Sequence, residues 1–344
     1  MRKAGIVGCG SIGQVHGAAV QGSPHIELGG AADIVPEKAE KLTAQFGGHA
    51  YASMEELLEA EHPDVIHICT PHFTHVPLAV KALRSGAHVL LEKPPAITLD
   101  DIPVLAQAQR ESGRRLGLCF QNRYRDNYRR ARELVTSRAL GPVKGARAFV
   151  TWRRGGGYYT DSPWRGRMRT EGGGVMINQA IHTLDLMLWL LGDPQTVAGS
   201  VANHHLPAGM DVEDTAEAVF SFDGGVSGLF YASTANSGDD PVYLDVACEE
   251  GHIIVEGDSL TLRGPDGRLR EYFENPPVKL CGKACWGGMH AVLIEDFYAH
   301  LDDGNFPIGI AEGSRALRAL LCLYRASQEG RAVDFATGEP VSHG

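Results

Sequence analysis

The amino-acid sequence predicts an α/β protein in two domains: residues 1–123 as a doubly wound parallel sheet, and residues 124–344 as an α/β domain with a mainly antiparallel sheet. Three observations carry this reading. A glycine-rich turn joins a first strand to a first helix. Strands and helices then alternate as far as residue 124. Beyond it, strands follow one another directly, with turns such as "DGG" and "PDG" between them. A length of 344 residues agrees, since it exceeds what one ordinary core holds.

Residues 4–7 read as the first strand, which runs through Gly8-x-Gly10-x-x-Gly13 into a helix beginning near Ser11. The glycines have separate tasks: a tight turn, close backbone approach to a pyrophosphate, and close packing of helix on strand. The helix start, with Ser11 and Ile12, presents free N–H groups and a positive dipole end to phosphates. A second strand, "IELGGAAD", ends in Asp33, where an acid hydrogen-bonds the adenosine ribose hydroxyls. A turn aspartate ahead of Pro36 is the plainer alternative. Ile34, Val35 and Pro36 include no arginine, so a 2′-phosphate would meet a carboxylate and no cation; NAD is expected rather than NADP.

Further strands are expected at 64–71, 88–94 and 116–124, with helices at 74–86 and 99–113. In a parallel sheet ligands bind at the strand C-terminal ends. Those ends carry Thr70-Pro71-His72, Glu92-Lys93-Pro94 and Gln121-Asn122-Arg123. Thr70, Pro71, His72, His75, Glu92, Lys93 and Gln121 are therefore expected cofactor contacts. Asn122 and Tyr124 are expected on the substrate side, with His290 a further cleft candidate.

After residue 124 come a basic helix to about 138, a strand within 140–154, and a glycine- and aromatic-rich loop at 155–174. Later strands are expected at 215–222, 225–233, 242–248, 252–256 and 259–263, and helices at 290–302 and 312–329. Between lies "GGGVMINQAIHTLDLMLWLLG", residues 172–192. At 100° per residue, Asn178, Gln179, His182 and Asp185 share one stripe about 120° wide on an otherwise apolar helix. No Lys, Glu or Arg stands between 175 and 192, so the stripe suits an enclosed polar cavity better than water. Asn178 and His182 are i,i+4 neighbours, and Asp185 follows three residues on. A hydrogen-bonded core histidine without chemistry is the alternative.

The loop "WRRGGGYYTDSPWRGRMRTEGGG" combines arginine forks, which recognise carboxylate or phosphate, with aromatic faces that pack on sugar rings. Arg153, Tyr159, Trp164 and Arg165, with Gln179 and His182, are candidate contacts to an anionic or polyhydroxylated substrate. An oligomer contact or a plain surface loop is equally open.

Composition is that of a globular chain, with 43% apolar and 22% charged residues. A net charge of −10 argues against a nucleic-acid partner, and the basic run at 123–133 reads as a solvated helix face. Seven scattered cysteines suit reduced thiols in the cytoplasm. No metal is expected: Cys281 and Cys285 lack CxxC spacing, and His204-His205 beside Pro207 is not read as a site. "MRKAGIVGCG" passes straight into a strand with no signal peptide, and the apolar run at 186–191 is too short for a membrane span.

In "GIVGCGSIG", "TPHFTHVPLAVKALRSGAHVLLEKP", "EGGGVMINQAIHTLDLMLWLLG" and "MHAVLIEDFYAHLDDGNFP" the chain resembles the Gfo/Idh/MocA family, which includes glucose–fructose oxidoreductase and inositol dehydrogenase. The likeness covers nearly the whole chain. It implies an N-terminal Rossmann domain and a second α/β domain whose large open sheet often mediates oligomerisation, as a dimer or tetramer. It also implies nicotinamide-dependent redox chemistry at a hydroxyl of a sugar, cyclitol or sugar acid. Lys93 matches the family's active-site lysine and His182 its histidine. Asn178 stands where many members have aspartate, which leaves the usual trio incomplete. "INQAIH" is also similar to a subgroup that includes nucleotide-sugar and uronate dehydrogenases.

Oxidising a secondary alcohol requires a group to take the hydroxyl proton as hydride leaves carbon. Lys93, with an ordinary pKa of about 10.4, needs enclosure or a nearby positive charge to act as base at neutral pH. As a cation it stabilises developing alkoxide. His182, tuned nearer neutrality, can share or relay the proton. The resemblance thus implies Lys93 as principal acid/base with His182 orienting the substrate, the reverse assignment staying open. A non-catalytic NAD-binding sensor and a hydrolase that oxidises its substrate transiently are the competing readings.

Overall fold

The computed structural model describes residues 1–277 and 288–341, so Cys281 and Cys285 lie outside the described residues. The chain forms two compact units, residues 1–124 with 277–314 and residues 125–276 with 315–344. The late segment up to 314 therefore belongs with the first unit, where a linear division at 123/124 would put it in the second.

In the first unit, strands β1 (Arg2–Val7), β2 (Ile26–Ala32), β3 (His49–Tyr51), β4 (Val65–Ile68), β5 (His88–Leu91) and β6 (Leu116–Leu118) alternate with helices α1 (Ser11–Gly22), α2 (Pro36–Phe46), α3 (Met54–Glu61), α4 (His75–Arg84) and α5 (Asp101–Ser112). The order is β3-β2-β1-β4-β5-β6, all parallel, and it reverses direction between β1 and β4. This doubly wound sheet puts its ligand crevice at that reversal. β4 and β5 are buried along their whole length, as strands covered on both faces must be. Both stop short of the expected ends, so residues 69–71 and 92–94 leave the ladder at the C-terminal edge. The helix His290–Ala299 joins this unit because His290, Leu293, Ile294, Phe297 and Tyr298 form one buried stripe. Gly117 in β6 lets it close in: a Cβ there would lie 2.6 Å from the Phe297 ring.

The second unit begins with α6 (Asp126–Thr136) and β7 (Val143–Thr151), continues through the short helices α7 (Gly156–Thr160) and α8 (Met168–Glu171), and reaches α9 (Ile181–Leu191). Its remaining strands are β8 (Thr196–Ala202), β9 (Thr215–Ser221), β10 (Ser227–Ser233), β11 (Tyr243–Cys248), β12 (Gly251–Glu256), β13 (Ser259–Arg263), β14 (Leu269–Glu274) and β15 (Val333–Asp334). They form one open nine-stranded sheet in the order β14-β13-β12-β11-β7-β10-β9-β8-β15. β7 and β10 pair in parallel and every other pair is antiparallel. Period-two alternation separates the faces: Ala216, Ala218 and Phe220 are buried, while Val219 is exposed.

The stretch Met168–Leu191 is longer than the apolar run read from the sequence, and is long and apolar enough to cross a membrane by length and composition. Its most apolar window is 78% buried inside the fold, as in a core helix.

Candidate active site

The three glycines of the first turn divide as expected. Gly8 has a φ of +92°, and a Cβ there would come within 2.6 Å of the Cys69 carbonyl oxygen. At Gly13 a Cβ would stand 2.2 Å from the Gly8 carbonyl oxygen, so helix and strand touch only because it is glycine. Gly10 differs, with nothing within 4 Å of its Cβ position; its bareness serves no internal packing. It precedes α1, whose N-terminus has no side-chain cap and no acid in its first turn. Ser11 is exposed there, while Ile12 packs against the core cluster of Ile6, Cys9 and Leu42. Asp33, half-buried, accepts from the Cys9 N–H at 2.8 Å and from the Val35 N–H at 2.9 Å. Open glycine, uncapped helix end and oriented carboxylate fit a dinucleotide's pyrophosphate and ribose.

At the next strand ends, Thr70 and Pro71 are half-exposed, and Lys93 is half-exposed with a cis peptide to Pro94. Three neighbours expected at the cofactor are buried. His75 is fully buried, with Nδ1 2.7 Å from the Pro94 carbonyl oxygen and Nε2 2.9 Å from that of Thr70. Its ring lies between these two carbonyl oxygens, and the neutral form donates to one of them. His72 and Gln121 are likewise buried.

Glu92 is buried as well. Its Oε1 lies 3.0 Å from His16 Nε2 and 3.4 Å from His290 Nε2, and its Oε2 accepts from the Lys93 N–H at 3.3 Å. Burial opposes its charge, yet hydrogen bonds from His16 and His290 hold its pKa well below the usual carboxylate range. Beyond it, His16 Nδ1 is 2.9 Å from His67 Nδ1, and His67 Nε2 is 2.9 Å from the Tyr298 hydroxyl. Burial depresses both histidines, His67 strongly. Neutral rings beside an ionised Glu92 fix one proton order: Tyr298 O–H donates to His67, His67 to His16, and His16 to Glu92. The ligand-capable atoms of His16, Glu92 and His290 lie within 4.8 Å of one another. His290 is thus part of this buried cluster. Tyr124 is 5% exposed and donates to Asp296 at 2.5 Å; Asn122 stays half-exposed.

In the second unit the glycine triplet lets backbone meet a buried acid. A Cβ on Gly174 would fall 1.8 Å from the Glu213 carbonyl oxygen, and one on Gly173 2.0 Å from the Tyr324 hydroxyl. Glu213 accepts from the N–H groups of Gly174 and Met176, each at 2.9 Å, and from the Tyr324 hydroxyl at 2.8 Å. It caps the helix from 39 residues away in sequence. The helix then opens with a wide π-turn, Met176–Ala180, before α9. The 100° stripe does not survive that extra width. Gln179 and Asp185 are buried, while Asn178 and His182 remain half-exposed.

Asn178 donates its amide N–H to Glu171, and Gln179 donates to the Tyr158 hydroxyl at 2.9 Å. Tyr158 lies under Arg165 at 4.2 Å and beside Arg154 at 5.8 Å, so guanidinium and ring alternate. Its neighbour Tyr159, the expected substrate contact, is instead 1% exposed, with its hydroxyl 3.4 Å from Thr234 Oγ1. Trp164 packs against Arg165 at 5.2 Å, and Arg153 is exposed with its N–H on Asp239. Of these candidates, Arg165 and Gln179 meet at Tyr158, and Trp164 packs on Arg165. Glu171, Glu213, His16 and His67 were also missed. Glu213 meets its partners 37 to 111 residues away, and His16 meets His67 across 51 residues, so no local pattern marks them.

This first unit has the turn, the acid and the strand ends of a nicotinamide-dependent oxidoreductase. Residues 2–120 match the NAD-binding Rossmann-fold model of the oxidoreductase family, and residues 128–254 match the GFO/IDH/MocA C-terminal domain. The chain belongs to the Gfo/Idh/MocA family. It is 29% identical over 199 residues to D-glucoside 3-dehydrogenase of Escherichia coli, covering 55% of this chain and 54% of that protein. It is 25% identical over 305 residues to 1,5-anhydro-D-fructose reductase of Ensifer adhaerens, covering 85% of each. The chain spans about half the length of the first of these curated relatives. In fold it is similar to the WlbA dehydrogenase of Bordetella pertussis, solved in complex with NADH and UDP-GlcNAcA, with a TM-score of 0.83, 24% identity, and 100% and 99% of the two chains covered.

Proposed function

We propose that this protein is an NAD-dependent dehydrogenase acting on a secondary hydroxyl of a sugar, cyclitol or sugar acid. The observation that carries the reading is Lys93, half-exposed at the C-terminal end of β5 in the unit whose glycine turn is open at Gly10. Gly8, Gly10, Ser11, Gly13, Asp33, Thr70 and Pro71 would hold the cofactor. The clean carboxylate at Asp33 supports NAD over NADP. When bound, NAD supplies the hydride acceptor. Lys93 takes the hydroxyl proton, and Glu92 and His75 on either side of it hold the backbone that aims its amine. His182 and Asn178 orient the substrate hydroxyls. Arg165, Trp164 and Gln179 favour a substrate that bears an anionic group.

The same reading takes the chain to be a homo-oligomer through the open face of the nine-stranded sheet. Val219 and Leu229 are 43% and 44% exposed there, and the Phe149 and Tyr243 rings pack together at 5.9 Å. A cytoplasmic location is supported by five free cysteines among the described residues. A charge of −10 supports small-molecule rather than nucleic-acid recognition. The test is a panel of cyclitols, aldoses, uronates and nucleotide sugars with NAD and with NADP. Reduced cofactor is expected with NAD and at least one hydroxylated substrate. Substrate conversion without net reduced cofactor would replace the dehydrogenase with a transient-oxidation mechanism.

A further inference from the structure

Glu171 is the last residue of α8, fully buried, and belongs to neither the cap nor the core. One carboxylate oxygen accepts from the Asn178 side-chain amide, and the other accepts from the Gly166 N–H at 2.6 Å. Gly166 follows Arg165, whose guanidinium covers the Tyr158 ring that Gln179 bonds. One buried carboxylate therefore holds both the loop that carries Trp164 and Arg165 and the first of the two half-exposed polar side chains on the helix. Because Asn178 donates its NH2 edge to Glu171, its carbonyl edge is turned the other way, as an acceptor.

We propose that Glu171 is a positioning residue of this active site, orienting the Asn178 amide so that a hydrogen-bond acceptor rather than a donor is offered beside His182. This rests on the dehydrogenase reading for its catalytic consequence, and on the two hydrogen bonds alone for its geometry. Protonation of Glu171 would let its O–H donate, which removes the preference for the Asn178 NH2 edge.

Burial pushes the Glu171 carboxyl up to about 7, against hydrogen bonds from Gly166 and Asn178 and the charge of Arg165; Glu213 adds to the rise. Tyr158, Tyr159 and Tyr324 are the other titratable groups that feel its charge. Burial raises all three tyrosines, so none of them ionises near neutrality. His182 lies one helical turn beyond Asn178. The acceptor orientation is therefore present above about pH 7 and lost as pH falls through it.

The test uses E171Q, N178D and the swap E171Q/N178D. In thermal unfolding at pH 8, N178D sets two carboxylates against each other and is expected to destabilise. The swap restores an amide–carboxylate pair and is expected to recover most of that loss. In turnover, wild type is expected to lose kcat as pH falls through about 7. E171Q is expected to lose that limb and to fall by about tenfold or more at pH 8. Additive stability effects would overturn the contact. Recovery in the swap with an unchanged pH limb in E171Q would reduce Glu171 to a structural role and overturn its positioning one. If wild type reduces no cofactor with any substrate, the dehydrogenase reading fails by itself, and the stability cycle alone judges whether Glu171 holds the amide.

Discussion

Glycine at position 10 and glycine at position 13 look alike in the sequence and differ entirely in what they meet. A Cβ at 13 collides with the Gly8 carbonyl oxygen, whereas a Cβ at 10 meets nothing within 4 Å. G13A is therefore expected to destabilise the first unit by about 2 kcal/mol or more, since backbone must move. G10A is expected to leave the melting temperature within about a degree and to weaken NAD binding by about tenfold or more, because the methyl occupies the space meant for the pyrophosphate. Calorimetric binding beside thermal unfolding separates the two. Equal loss of stability in both variants would contradict the assignment. The turn at Gly8 and the close packing at Gly13 were legible because the motif is local. The buried bonds of His75 and Glu92 were not: one opens α4 and the other follows β5, and only three-dimensional burial shows what each meets.

Among elements, α9 with its preceding π-turn shows both what periodicity can read and where it stops. Its buried length was legible from the absence of Lys, Glu and Arg; its register was not, because one wide turn shifts every angle before Ile181. The cap was invisible as well, since Glu213 comes from the segment before β9. Removing that acid strips hydrogen bonds from the N–H groups of Gly174 and Met176 and from Tyr324. E213A is expected to cost about 2–4 kcal/mol and to expose amides 174–178 to hydrogen exchange before the rest of the helix. Uniform exchange along the helix would contradict the capping role. Elsewhere α3 carried a signal that went unread: Ser53 accepts from the Glu56 N–H, and Glu56 reaches back to the Ala52 N–H. β14 gave little to read, because "LREYFE" has no fully buried position.

For the whole molecule, protons act on the two units in opposite senses. In the first unit, burial lowers His16, His67 and His75 below the ordinary 6.5, and Glu92 is held well below 4.5. The unfolded chain then binds more protons near pH 6, so this contribution is full above about 6.5 and is lost as pH falls. In the second unit, burial raises Glu213 and takes Glu171 from 4.5 to about 7. That contribution is full below about 4.5 and is lost as pH rises through about 7, on the order of 3 kcal/mol for Glu171. Acidification from pH 8 to pH 5 is expected to loosen the first unit and tighten the second. Exchange protection measured unit by unit at both pH values checks this, and parallel changes in the two would contradict it.

The central claim is that the amine of Lys93 takes the hydroxyl proton in a reaction for which bound NAD would supply the hydride acceptor. Its most direct test is the pH–rate profile of cofactor reduction by wild type, K93M and H182A on one accepted substrate. A loss of about a hundredfold or more in K93M is expected, with a smaller loss and a displaced profile in H182A. Turnover in K93M within about threefold of wild type, with the same profile, would contradict the account.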